Sequence, residues 1–491
     1  MRSALWNRFQ LGWHCSALFI LKVKRFRHER YGVSTNPAKY SAEQLEIPRD
    51  SRLWSPDFLF GTATASYQIE GAIHEDGRIP SIWDTYSNTP GMVLNGDTGE
   101  FACDHYHRWP EDLSIIEELG VGAYRLSIAW PRVMDADNRP NPKGLAFYRR
   151  LLEALKAKGI QAYVTLYHWD LPQWLEDRGG WTSRETVYRF AEYADLVSRE
   201  FKGLVTAWAT LNEPWCSAWL GYAAGRHAPG RQNRRYATQA MHHLLLAHGT
   251  AVPILRRNDP GATVGIVANV GASVAETPSP QDRDAAYLFE LQHNHWILDP
   301  LLKGSYPADL WRLWPGAEPL VLDGDMETIS APLDFLGINY YFRTQVKSDG
   351  ANGFIETEMP GVERTQMGWE VYPQGLARLL KGFHATYANL PPIYITENGM
   401  ASNDKVVDGR VADPSRISFL SRHLLAVDDA MRSGVDIRGY FIWSLLDNFE
   451  WAYGYERRFG IVHVDYDTQV RTWKDSGRVV QAFMKARKAQ A

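Results

Sequence analysis

From residue 58 onward the chain is punctuated by short apolar runs that are continuous, not alternating. They cover residues 58–65, 123–130, 160–168, 205–212, 263–270, 333–340, 393–396 and 437–446. Runs apolar on both faces belong to a parallel sheet covered on both sides. Between several of them apolar positions recur at helical spacing. These stretches are 111–119, 144–158, 184–201, a long one holding His242 and His243, and 414–433. Gly159 and Gly434 stop two of them. Strand and helix alternating eight times predict an α/β fold, a single (β/α)8 TIM barrel. A doubly wound sheet is the alternative, but no Gly-x-Gly-x-x-Gly follows the first run and no P-loop occurs.

The first 50 residues are different in character. Residues 1–31 carry seven Lys or Arg against one acid, Glu29. The apolar run 17–21 is too short to span a bilayer, and no small-x-small cleavage site follows it. Residues 1–50 therefore read as a poorly ordered N-terminal extension, with 34–52 as a polar linker, and 51–491 as the barrel domain. Three scattered cysteines, Cys15, Cys103 and Cys216, support neither a disulfide framework nor a metal site and fit a reducing cytoplasm. A net charge of −4 gives no reason to expect nucleic acid as a partner. No membrane span is expected, and a homo-oligomer is left open. Nineteen tryptophans suggest either a large core, which must take most of them, or a cleft that stacks flat, CH-faced ligands such as sugars.

In such a barrel the chemistry sits at the carboxyl ends of the strands. There this chain gathers Gln68 and Glu70, Arg125, His168-Trp169-Asp170, Asn212-Glu213, Asn339-Tyr340-Tyr341, Glu397, Trp443, Asp447 and Glu450-Trp451. No metal-ligand spacing appears among them, so neither a metal nor a cofactor is expected. His105, His107, His242 and His243 read as structural, and Glu70, Asp170 and Asp447 as braces for loops. Trp109, Trp130 and Trp219 are core or ligand platform. Glu213 and Glu397 end the fourth and seventh runs, across the barrel mouth from each other. Two opposed carboxylates suit cleavage of a glycosidic bond, and their separation decides between retention and inversion.

Four segments carry a resemblance. They are residues 60–71 (FGTATASYQIEG), 210–214 (TLNEP), 395–399 (ITENG) and 443–451 (WSLLDNFEW). In this order they resemble the signatures of glycoside hydrolase family one, the β-glucosidases and their relatives, over about residues 54–487. The resemblance implies a retaining β-glucosidase acting on terminal non-reducing β-D-glucosyl residues of small glucosides or oligosaccharides. It matches Glu397 to the nucleophile and Glu213 to the acid/base. Arg125 and Tyr341 would stabilise Glu397, Asn212 would hold the sugar 2-hydroxyl, and Asn339 would orient its neighbours. Gln68, His168, Glu450 and Trp451 match the groups that hold the other hydroxyls, and Trp443 the floor under the ring. Trp169 and Trp369 would line the aglycone side. A 6-phospho-β-glycosidase is the near rival, because Arg457 and Arg458 follow Glu450, whose charge opposes a 6-phosphate. A thioglucosidase or a non-catalytic sugar-binding relative would lack one of the two carboxylates.

Overall fold

The computed structural model describes residues 40–490. Eight parallel strands close on themselves as the sequence predicts: β1 (Leu59–Ala63), β2 (Ala123–Ser127), β3 (Gln161–Tyr167), β4 (Ala207–Asn212), β5 (Thr263–Ala275), β6 (Phe335–Ser348), β8 (Ile393–Asn398) and β9 (Ile437–Trp443). The pairing of β9 with β1 and of β5 with β6 completes the ring, which excludes an open doubly wound sheet. β7 (Phe354–Thr357) is an addition, antiparallel to the overhanging end of β6.

Helices follow each barrel strand for local reasons. His105–Leu119 ends at Gly120, which takes a left-handed φ of 81°. Pro142–Ala157 opens on the Asn141 cap, which accepts from the Lys143 N–H, with Pro142 at the first helical position. Ser183 caps Arg184–Glu200, and Val187, Phe190, Tyr193, Ala194 and Val197 lay one buried stripe along it. Arg234–Asn258 and Pro414–Arg432 likewise bury long faces on the sheet. Three of the longer helical regions were not apparent in the sequence pattern: Pro280–Lys303, with a π-helical turn inside it, Pro373–Thr386 and Asp475–Lys488.

The core has two compartments. The larger lies between strands and helices. The smaller fills the barrel itself, where Tyr163, Phe335, Tyr394 and Phe441 meet from four different strands, with Tyr163 and Phe441 centroids 4.9 Å apart. Gly61 makes room for this, since a Cβ there would lie 2.4 Å from the Phe441 ring. The interior is thus packed, and the space for a ligand lies above it.

Residues 40–50 depart from the expected linker. Leu45 and Ile47 are buried, the Ser421 hydroxyl donates to the Leu45 carbonyl, and the Tyr40 hydroxyl reaches Asp475. Two apolar anchors in a polar stretch suffice to hold it on the helices Pro414–Arg432 and Asp475–Lys488. The rest of the expected extension, 1–39, lies outside the described residues. Among the described residues no helix is long and apolar enough to cross a membrane.

Candidate active site

The carboxyl ends of the strands open into a cavity of about 950 Å³. Glu213, Glu397, His168, Trp169, Asn339, Tyr341, Trp369, Trp443, Glu450 and Trp451 line it. Arg125 and Asn212 stand directly behind that lining and bond to it, and Gln68 bonds to Asn448 and Phe449, next to Glu450. Every site residue expected from the sequence therefore converges on one end of the barrel. Register shifts at the ends of β4, β6 and β8 fall beside Asn212, Asn339 and Glu397. Such bulges re-aim side chains that strict alternation would point elsewhere. Glu213, Trp169 and Trp451 take left-handed φ values of 47°, 79° and 49°. These are costly for residues with a Cβ and are held by the surrounding packing.

The two carboxylates have unlike surroundings. Glu397 is buried and ion-paired with the Arg125 guanidinium, and the Tyr341 hydroxyl donates to its other oxygen at 2.6 Å. Glu213 is equally buried but has no cation within ion-pair reach among the described residues. Asn339 Nδ2 donates to its Oε1 at 2.7 Å, and the Cys216 thiol donates to Oε2 at 3.1 Å. Burial, with the Glu397 charge beside it, pushes the Glu213 carboxyl up to about 7. A third acid, Glu450, is buried with Oε2 unpartnered. Burial and the two other carboxylates push it up to about 8.

A relay of fixed donors sets the orientation of the amides. Arg125 carries only donors, and its Nη2 meets Asn212 Oδ1 at 2.7 Å. Asn212 Nδ2 must then face His168 Nε2, 3.0 Å away, so that nitrogen accepts. Burial and the Arg125 charge hold His168 well below the usual imidazole range, which keeps the ring neutral. Asn339 contacts the same Asn212 oxygen through its own Nδ2, and the Thr396 hydroxyl donates to its Oδ1 at 2.7 Å. Each amide has one orientation that satisfies the whole set.

The substrate-facing groups divide into two walls. Trp443 and Trp451 lie nearly parallel to the His168 ring, 5.9 and 6.0 Å from it. Gln68 Nε2 is held by Asn448 and the Phe449 carbonyl at 2.9 Å, leaving a buried, unpartnered Oε1. Buried acceptors without partners, on Gln68 and Glu450, suit a ligand that brings hydroxyl donors. Toward the mouth, Trp369 packs on Tyr341 and Phe342, and Trp219 stacks on Trp314 at 5.0 Å. Trp169 instead contacts Trp451 and donates to the Asn212 carbonyl.

The remaining sequence candidates are structural. Glu70 pairs with Arg132, and Asp447 accepts from Lys474, Arg458 and the Gly460 N–H. Asp170 accepts from Ser66. His105, His107 and His242 bond carboxylates, and His243 bonds the Trp181 carbonyl. Trp130 stacks on Tyr193 inside the shell, and Trp109 packs against it. Sequence reasoning missed Cys216, Thr396 and Trp314. The spacing of three from Glu213 across a turn was the available signal for Cys216.

Comparison with known proteins agrees with this geometry. The family model described as glycosyl hydrolase family 1 matches residues 51–489. A β-glucosidase of an Agrobacterium species is 47% identical over 433 residues, covering 87% of this chain and 94% of the relative. β-Glucosidase A of Thermotoga maritima is 46% identical over 86% of this chain and 95% of its own length. Among solved structures, the AHE enzyme of Alicyclobacillus herbarius superposes with a TM-score of 0.86 at 48% identity, over 89% of this chain and 98% of that one. The chain belongs to glycosyl hydrolase family 1.

Proposed function

We propose that this protein is a retaining β-glucosidase that removes terminal β-D-glucosyl residues by double displacement, with Glu397 as nucleophile and Glu213 as acid/base. The observation that carries the reading is the asymmetry of the pair. Glu397 is ion-paired with a guanidinium and accepts from a phenol, while Glu213 has neither partner and is pushed up to about 7. In the first step a Glu397 oxygen attacks the anomeric carbon and the glycosidic C–O bond breaks. The Glu213 proton passes to the leaving oxygen. Ester formation removes the Glu397 charge, one of the two things that raise Glu213. Glu213 then takes a proton from water, the hydroxide attacks the anomeric carbon, and the ester bond to Glu397 breaks.

Asn212, at the junction of the amide relay, would hold the 2-hydroxyl. Gln68, His168, Glu450 and Trp451 would read the other hydroxyls over the Trp443 face. Trp169 and Trp369 would flank the aglycone. The β-glucosidase names of the relatives support glucose as the sugar. Glu450 lines the cavity whereas Arg457 and Arg458 do not, which favours an unphosphorylated sugar. Arg458 is committed to Asp447, and Arg457 to Glu456. Cytoplasmic placement rests on the cysteine usage alone.

Glu397→Gly tests the reading. Hydrolysis of an aryl β-glucoside should fall by about 10⁵-fold or more, and added formate or azide should restore part of it, with inverted product when azide is captured. Retained activity overturns the assignment.

A further inference from the structure

We propose that Cys216 is a positioning residue for the acid/base, its thiol holding and tuning the Glu213 carboxyl at Oε2 as Asn339 holds it at Oε1. The inference rests on the acid/base role given to Glu213 above.

Two observations carry it. The first is the amide relay. Arg125 fixes Asn212 Oδ1, that oxygen fixes Asn339 Nδ2, and the same Nδ2 donates to Glu213 Oε1. Asn339 therefore holds one lone pair of Oε1 and can only donate there. The second is the local backbone. Glu213 adopts its left-handed φ, the Cys216 N–H donates back to the Glu213 carbonyl at 2.9 Å, and a π-helical segment, Cys216–Ala223, begins there. This tight turn brings Sγ to 3.1 Å from Oε2, and Cys216 itself lines the cavity. Non-α turns of this kind are frequent at functional sites.

Burial, and then the Glu213 charge, keep the thiol protonated, so it can donate. Its hydrogen occupies one lone pair of Oε2. With Asn339 on Oε1, each carboxyl oxygen is held by one donor and keeps one lone pair for the acidic proton. Donation to a carboxylate also favours the ionised form, which moderates the upward pull of burial on Glu213. The charged or titratable groups around this pair are Glu397 on β8, Arg125 on β2, Tyr341 on β6, His168 after β3, Glu450 after β9 and Arg226 in the loop beyond Cys216. None of them changes with the substitutions below, so a difference between variants isolates the thiol.

The test compares Cys216→Ala and Cys216→Ser with the parent enzyme in kcat/KM against pH. One substrate is an aryl β-glucoside with a poor leaving group and the other a dinitrophenyl β-glucoside. Loss of the donor in Cys216→Ala should move the alkaline limb upward by about 0.5 in pH, and the stronger hydroxyl donor of Cys216→Ser should move it downward. Cys216→Ala should slow the poor substrate by about threefold to tenfold while leaving the activated one within about twofold. Shifts of the same sign in both variants, or none in either, overturn the proposal, because a packing role responds to size and not to donor strength. Glu213→Ala serves as the control. If it slows both substrates equally, the acid/base reading itself has failed. If it is selective while the cysteine variants are silent, only the positioning role has failed.

Discussion

Two buried clusters of charge lie within this barrel, and they are built on opposite rules. Around the loops that follow β8 and β9, Asp404, Asp413 and Asp447 meet Arg416, Arg458 and Lys474, three anions against three cations. At the strand ends, Glu213, Glu397 and Glu450 share one cavity with only Arg125 in ion-pair contact. In the balanced cluster each charge is neutralised by a neighbour, and the result is a rigid brace for the loop that carries Trp443 to Trp451. In the unbalanced one the surplus carboxylates are pushed up to about 7 and about 8, where protons can be exchanged near neutrality. Burial is common to both. What separates the two clusters is how many of their counter-charges are supplied.

The comparison can be broken from either side. The largest effect is expected at the acid. Glu213→Ala should slow glucosides with poor leaving groups by about 10²–10⁴-fold and activated ones far less, with no loss of stability. Equal losses on both substrates, measured as kcat/KM, would remove Glu213 from the unbalanced set. Next comes the brace. Lys474→Met leaves three buried acids against two cations, Arg416 and Arg458, and should cost about 3 kcal/mol, read from the midpoint of urea unfolding. A midpoint unchanged from the parent would mean that the cluster is not a brace. The smallest effect is the most diagnostic. A carboxyl raised in the folded state lends stability that is complete below its unfolded value, near 4.5, and is lost as pH rises through its folded value, about 8 for Glu450. Glu450→Gln should therefore flatten the decline of stability between pH 5 and 9 and leave the variant about 1–2 kcal/mol more stable at the alkaline end, while weakening turnover. A variant less stable than the parent at pH 9 would show that this acid is compensated after all.

The pair of carboxylates was legible because an acid at the end of a largely apolar strand stands out in a linear sequence. Glu213 and Glu397 needed only the barrel to bring them together. The outer wall was not legible. Trp314 and Phe354 come from segments after β5 and β6 whose polar and apolar residues alternate without a period that names their target. The overhang of β6 from Tyr341 to Ser348 was missed for the same reason, since Arg343, Thr344, Gln345 and Lys347 dilute the apolar run. Of the balanced cluster, Arg458 was weighed as a phosphate ligand and Asp447 alone as a brace. Its partners lie between residues 404 and 474, and pairing at that separation leaves no local trace. The 40–50 segment reads as a linker by composition because its hold depends on two side chains, Leu45 and Ile47, and not on an average.

Closure of the sheet has a consequence for life in a crowded solution. Seven of the eight barrel strands pair on both sides only with other barrel strands, and β6 adds β7, so the nine-stranded sheet offers a single free edge, the outer side of β7. That edge is four residues long and bears the exposed Glu356 beside the exposed Ile355. A short edge with a charge on it is a poor template for a foreign strand. At this edge, protection against strand addition rests on its short length together with the charge of Glu356.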